Sequence, residues 1–358
     1  MIEKDKDAYL GTPSRMNTTY MPAPDRYASM EYRRCGNSGL LLPPVSLGLW
    51  QNFGNEVPFE EARALVLRAF DLGITHFDLA NNYGRPPGSA ERTLGRLLRR
   101  EFRDLREEVV VSTKAGYDMW QGPYGEWGSR KHLVSSIDQS LKRLGLEYVD
   151  IFYSHRPDPQ VPLAETLGAL ADMVRQGKTL YVGISSYGVD ETREAHRVLR
   201  SLGVPLVAHQ PSYSLFNRWI ERDGLLDLLT ELGVGCVSFT ALEQGLLTDK
   251  YVSGVSTEGR MSRPGSLLKP ELLTDDVRGR LKGLAGIAAR RGQTLAQMAL
   301  AWVVKDVQVA TTVVGARTIE QLEENVRALE NTLFSADELG EIDEYADDLG
   351  ITLWPPNP

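Results

Sequence analysis

The chain has 358 residues, 42% of them hydrophobic and 25% charged, which is ordinary for a globular enzyme and supplies apolar material for a large core. Its formal net charge of -8 has the wrong sign for neutralising nucleic-acid phosphates, and no uninterrupted apolar run of roughly 18 residues offers a membrane helix. Two cysteines, Cys35 and Cys236, are too few for a disulfide framework and lack metal-ligand spacing, so with a charged N-terminus the expected setting is a reducing cytoplasm.

Residues 1–30, with several Pro, Ser, Thr and Met, read as an extended arm before a single domain spanning 31–358. Tyr32–Gly39 followed by LLLPPVSLGLW reads as a β-hairpin, turned by Asn37-Ser38-Gly39, that runs into a first buried strand at Val45–Leu49. Seven short apolar runs follow: Thr75–Ala80, Val109–Lys114, Val149–His155, Leu180–Ser185, Leu206–Gln210, Gly235–Thr240 and Val309–Gly315. Segments with apolar residues at helical spacing separate them, among them Phe59–Leu72, Ala90–Arg100, Leu133–Leu144, Leu163–Arg175 and Leu225–Leu232. Gly73, Gly145, Gly177, Gly203, Gly233 and Gly292 stand where helix C-caps would fall. Eight strands with a helix after each predict a (β/α)8 TIM barrel, since parallel strands need long crossovers that helices fill. The rival doubly wound sheet would place a G-x-G-x-x-G after an early strand, and none is there. Residues 241–274, rich in Gly, Ser, Pro, Lys and Arg, form a long connection of the kind used as a lid or binding loop. Ser335–Leu349 opens on Ser-Ala-Asp-Glu and predicts an extra C-terminal helix before the Trp354-Pro-Pro tail.

In such a barrel the C-terminal strand tips converge on one face. Here they carry Asp78 with Tyr83 close behind it, Lys114, and His155. A phenol with an ordinary pKa of about 10 is a weak proton donor at neutral pH, and a neighbouring ammonium favours its anion. Lys114 can supply that ammonium, Asp78 can hold it by an ion pair, and His155 can orient a substrate oxygen. Each residue alone has a plain structural explanation; three successive tips carrying the set point to carbonyl reduction. His76 and Asp78 make a loose H-x-D, but the later tips offer Lys114 and Gln210 rather than further ligands, so no metal is expected. The loop Trp120–Trp127 is read as a pocket wall with Trp50 opposite, and Arg156 either as a substrate-phosphate ligand or as a surface arginine.

The segments GITHFDLANNYG, GSAE, STKAGYD, LGLEYVDIFYSH, YVGISSY, HQPSYSLFNR and GLLTDKY resemble the aldo-keto reductase superfamily, in the branch of bacterial L-glyceraldehyde-3-phosphate reductases and potassium-channel β subunits. The GPYGEWGSRK loop and QLEEN fit the reductases especially. The resemblance implies an NADPH-dependent enzyme with Asp78, Tyr83, Lys114 and His155 catalytic. It implies cofactor contacts from Gly48, Trp50 and Asp78, and a nicotinamide stacked on Tyr213 with its carboxamide on Ser185, Ser186 and Gln210. Thr240, Leu242, Gln244, Gly245, Leu246, Lys250 and Arg260 would take the pyrophosphate. Gly315, Arg317, Gln321, Glu324 and Asn325 would take the adenosine end, with Arg317 on the 2′-phosphate. Substrate contacts would fall to Trp50, Tyr83, Trp120, His155 and Arg156. Three sites depart from the pattern: Ala241 replaces a usual proline, Asp249 a frequent glycine, and Arg317-Thr318 a common Ser-Arg. The expected partners are a small aldehyde or ketone and further copies of the chain, as tetramer or octamer. The alternatives are a redox-sensing β-subunit-like binding module, a xenobiotic aldehyde reductase or an alcohol dehydrogenase.

Overall fold

In the computed structural model, which describes residues 20–254, 259–262, 266 and 268–348, the eight apolar runs become eight parallel strands. Each is buried on both faces, which is why they read as near-continuous hydrophobic runs. In chain order they alternate with helices: β3 (Val45–Gly48), α1 (Phe59–Asp71), β4 (His76–Asp78), α2 (Ser89–Arg100), β5 (Val110–Ala115) and α3 (Arg130–Leu144). Then come β6 (Val149–Ser154), α4 (Leu163–Arg175), β7 (Thr179–Ser185), α5 (Val189–Ser201) and β8 (Leu206–Gln210). The one-turn α6 (Trp219–Arg222) precedes α7 (Leu225–Leu232) and β9 (Gly235–Phe239); α8 (Asp275–Arg290), α9 (Leu295–Val303), β10 (Val309–Val314) and α10 (Ile319–Arg327) complete the barrel. Its closure lies in β10, which pairs in parallel with both β9 and β3.

The hairpin forms as expected, with β1 (Arg33–Arg34) antiparallel to β2 (Leu41–Leu42). It seals the bottom of the barrel: Cys35 Sγ lies 3.5 Å from Val207 O at the start of β8, and Asn37 N donates to Gly233 O just before β9. Residues 20–30 lie along the end of α1, with Tyr20 Oη donating to Asp71 Oδ1 at 2.7 Å; the rest of the proposed arm lies outside the described residues. The glycines expected after the helices all adopt left-handed backbone, φ 67–87°.

Two strands are followed by two helices, so the simple alternation is broken after β8 and β9. Among its described residues the long connection after β9 folds into short 3-10 turns at Glu243–Gly245, Asp249–Tyr251, Arg260–Ser262 and Pro270–Leu272. Tyr251, 1% exposed, pins it by accepting from Met261 N. The last helix, α11 (Ala336–Asp343), starts at the expected Ser335, whose capping box with Glu338 is complete, but it stops short of Leu349; that residue and the Trp354 tail lie outside the described residues.

Candidate active site

Asp78 ends β4 and Lys114 lies near the end of β5, facing into the barrel where neighbouring strands bring them together. Lys114 Nζ donates to Asp78 Oδ2 at 2.5 Å and to Leu79 O at 2.7 Å, and the lysine is fully buried. Asp78 Oδ1 accepts from Ser112 Oγ at 2.6 Å and from Gln210 Nε2 at 3.2 Å. A buried ion pair survives only when its remaining valences are satisfied in this way. Burial pulls the Lys114 ammonium below its ordinary range, and Asp78 opposes that pull.

Tyr83 enters from the turn after β4, held by its N–H on Ala80 O and by Gly84 N on Trp50 O. Lys114 Nζ lies 5.4 Å from the centre of its ring. The ring of His155, which follows β6, packs edge-on to Tyr83 at 5.9 Å and to Tyr117 at 4.6 Å; Trp50 closes the other side of Tyr83 at 6.3 Å. The expected lowering of the phenol's pKa is not found. Burial, reinforced by the Asp78 carboxylate and by Tyr117, raises Tyr83 well above its ordinary value. Burial, with Lys114 and Arg156 adding to it, holds His155 well below its ordinary value, so the imidazole is neutral at physiological pH.

These groups border a cleft of about 1110 Å³ at the C-terminal strand ends. Asp78, Tyr83 and His155 line it, and Lys114 lies beneath its floor. Gly48 and Trp50 line it, as do Ser185, Ser186 and Gln210 at the ends of β7 and β8. So do Thr240, Leu242, Gln244, Gly245, Lys250 and Arg260 in the loop after β9, and Gly315, Arg317, Gln321, Glu324 and Asn325 around the start of α10. The cleft is built to hold something polar. Asn82 Oδ1, His155 Nδ1 and Gln244 Nε2 belong to lining residues and have no hydrogen-bond partner among the described residues. Ser186, Thr240 and Gln244, all lining residues, adopt left-handed backbone at φ 57–62°, a strain that concentrates at ligand clamps. At Gly48 a Cβ would meet Val313 Cγ1 at 2.7 Å, so only glycine leaves this part of the wall flat. Among the described residues no group of three His, Cys, Asp or Glu is placed to hold a metal.

Four expected residues lie elsewhere. Tyr213 is 1% exposed and absent from the lining; its ring packs on Trp302 at 5.2 Å and its hydroxyl donates to Glu221. Leu246 is fully buried in the core beneath its loop. Trp120 folds back onto His132 of α3, at 4.9 Å between rings. Arg156 is held by Glu126 at 2.8 Å and by Gly116 O at 3.0 Å, and it stacks on Trp127 at 3.5 Å, so it fastens the aromatic loop rather than facing the cleft. Three lining aromatics were missed, one of them Tyr251 in the loop after β9. Phe239 is the tip of β9, where the strand-end rule that found Asp78 also applies, and Tyr117 lies three residues past Lys114.

Residues 44–347 match the model of the Aldo/keto reductase family. The chain is 55% identical, over 94% of its length and 98% of the relative's, to L-glyceraldehyde 3-phosphate reductase of Escherichia coli (strain K12). It is 36% identical, over 84% and 92%, to a probable voltage-gated potassium channel subunit beta of Oryza sativa subsp. japonica. The crystal structure of a thermostable aldo-keto reductase in complex with the inhibitor epalrestat superposes with a TM-score of 0.67 at 29% identity, covering 88% of this chain and 100% of that one. With a closed barrel whose strand tips gather an aspartate, tyrosine, lysine and histidine, these matches make the chain a member of the aldo/keto reductase family, an oxidoreductase acting on carbonyl and alcohol groups.

Proposed function

We propose that the chain reduces small aldehydes with NADPH, L-glyceraldehyde 3-phosphate and methylglyoxal-like compounds being the substrate class. The observation that carries the reading is the buried Asp78–Lys114 pair set under Tyr83 and beside His155 at the wall of one cleft. The substrate class draws on the similarity to the Escherichia coli reductase.

Bound NADPH supplies a hydride to the carbonyl carbon; the remaining tasks belong to this chain. Tyr83, protonated at neutral pH, gives its phenolic proton to the substrate oxygen as that oxygen gains negative charge, so one O–H bond breaks as another forms. The phenolate left behind is stabilised by the Lys114 ammonium, which Asp78 keeps charged. His155, neutral, donates a hydrogen bond to the same oxygen and sets the carbonyl's orientation. Trp50 and Tyr117 exclude water from the reacting centre. For the cofactor, Ser185, Ser186 and Gln210 suit the carboxamide, and Phe239, in place of Tyr213, supplies the aromatic platform. Lys250 suits the pyrophosphate, and Arg317 before the N-terminus of α10 suits the 2′-phosphate. We assign this chemistry to one barrel domain over residues 31–358 that works in the cytoplasm as a tetramer or octamer.

The test is a kcat/KM panel over phosphorylated and neutral aldehydes with both nicotinamide cofactors. NADPH consumption with glyceraldehyde 3-phosphate or methylglyoxal is expected. Absence of turnover with every small aldehyde would remove the proposal, and a preference for NADH would remove its cofactor half.

A further inference from the structure

Beneath the Asp78–Lys114 pair, one side of the barrel interior is polar where such barrels are ordinarily packed with branched apolar side chains, as the opposite side is by Ile151, Val207 and Val237. Thr311 on β10, Ser46 on β3, His76 on β4 and Ser112 on β5 are each fully buried and come from four consecutive strands of the closed barrel. Thr311 Oγ1 lies 2.7 Å from Ser46 Oγ, and Ser46 Oγ lies 2.9 Å from His76 Nδ1. His76 Nε2 lies 2.9 Å from Ser112 Oγ, which donates to Asp78 Oδ1 at 2.6 Å. Every link is within hydrogen-bond distance.

The direction of each bond follows from the last one. A carboxylate only accepts, so the single O–H of Ser112 points at Asp78. Ser112 Oγ then accepts from His76, which puts the imidazole proton on Nε2. Burial takes His76 down to about 4, so the ring is neutral and Nδ1 keeps a lone pair. That lone pair takes the one O–H of Ser46, and Ser46 accepts from Thr311.

We propose that this line of neutral side chains is a positioning device for the reaction: His76, fixed as its Nε2–H tautomer, aims the Ser112 hydroxyl at Asp78 and so secures the carboxylate that keeps Lys114 charged beneath Tyr83. The chain of donors ends on Oδ1, while Lys114 takes Oδ2. Donors in series polarise one another, so the carboxylate feels more than a lone serine. Asp78 is also the group that raises Lys114's proton affinity against burial. The other titratable or charged groups around the lysine are Tyr83, Tyr153 and His155, with Tyr117 against His155 and Arg156 behind them. None of these is an anion at neutral pH, so Asp78 acts alone. The inference deepens the function proposed above: its kinetic consequence rests on that reading, whereas the order of hydrogen bonds does not.

The first test is independent of turnover. In the full-length protein with 15N-labelled histidine rings, the signal that vanishes in His76→Gln is expected to report a neutral Nε2–H ring, unchanged between about pH 5 and 8. A proton on Nδ1, or titration near the ordinary histidine value, overturns the proposal. The second test is kinetic. His76→Leu is expected to lower kcat about tenfold and to move the alkaline limb of the pH–rate profile to lower pH, with the Kd for NADPH unchanged. His76→Gln, whose amide N–H can donate to Ser112 and whose carbonyl oxygen can accept from Ser46, is expected to restore most of both. Simple core damage would lower Tm in both variants and leave the limb in place, and an unmoved limb in folded His76→Leu protein overturns the proposal. If His76→Leu does not fold, Ser112→Ala, which deletes the same donor to Asp78, is read by the same limb. A wild-type protein without turnover removes the reading of the site and the kinetic half of this inference; the ring signal still decides the hydrogen-bond order.

Discussion

Lys114 has no exposure and its ammonium rests on Asp78 and one carbonyl, so removing it strands a carboxylate inside the barrel. Breaking such a pair from one side costs roughly 3–5 kcal/mol. Lys114→Met is therefore expected to lower the unfolding free energy measured in urea by an amount in that range, as well as to abolish reduction. Tyr83 carries a different expectation. It packs against Trp50 and His155 through its ring, and its hydroxyl is what the reaction would use. Tyr83→Phe should keep the fold and the NADPH affinity while lowering kcat by about 10²–10⁴; a turnover number unchanged in the variant would end the assignment of the proton to Tyr83. The residues of this site were readable in the sequence because an aspartate, tyrosine, lysine and histidine stand together at three successive strand ends, although each alone has a structural use. Their protonation states were not. Burial, with Asp78 next, raises Tyr83 where a neighbouring ammonium was expected to lower it, and only coordinates show how deeply the phenol is buried.

At the scale of elements, strands and helices were legible from periodicity, and the loops were not. The loop after β5 is rich in aromatics, yet it folds onto α3 and is fastened by Arg156 through Glu126 and Trp127, so Trp120 and Arg156 are spent on its shape. Nothing in its composition sets that direction. The same blindness put Tyr213 in the cleft: an aromatic three residues past β8 looks much like an aromatic at the tip of β9, but Tyr213 turns to Trp302 while Phe239 reaches the lining. Phe239→Ala is accordingly expected to weaken NADPH binding about tenfold, the equivalent of about 1.4 kcal/mol of lost stacking. Tyr213→Phe should leave it unchanged, and fluorescence titration of both variants separates the two residues. The start of α10 makes a second prediction. Thr318 caps the helix by accepting from Gln321 N, and the exposed Arg317 stands just before it on the cleft rim. Arg317→Ala should raise the Kd for NADPH severalfold and spare NADH, since only the former brings a phosphate dianion to that end. An equal loss for both cofactors would move the 2′-phosphate elsewhere.

For the molecule as a whole, the buried histidines set how it meets acid. His76 and His209 are held near 4 and 3 by burial, and His155 well below its ordinary value for the same leading reason. Each is neutral in the folded state down to its depressed pKa but takes a proton in the unfolded chain below about 6.5. The unfolded state therefore binds more protons there, and stability falls as pH falls from about 6.5. Glu243 acts in the opposite sense: burial raises it to about 7, so between about 4.5 and 7 it is protonated only when folded and favours the folded state toward acid. His76 and His209 outweigh one glutamic acid by one proton, a net loss of about 1.4 kcal/mol per pH unit from about pH 6.5 to 4.5, and His155 and the buried His132, both lowered by burial, act in the same direction. Against a total stability of about 5–15 kcal/mol that slope is a measurable fraction, so stability should already be falling by about pH 6, well above the ordinary carboxylate range. His209 isolates the effect, because neither of its ring nitrogens has a hydrogen-bond partner among the described residues. Replacing it with leucine leaves no stranded polar atom, so His209→Leu should be near neutral in stability at pH 7. It should also make the unfolding free energy measured in urea less steep in pH, by about 1.4 kcal/mol per unit. Parallel slopes for the variant and the parent would mean that His209 takes up its proton without unfolding, and that burial does not hold it neutral.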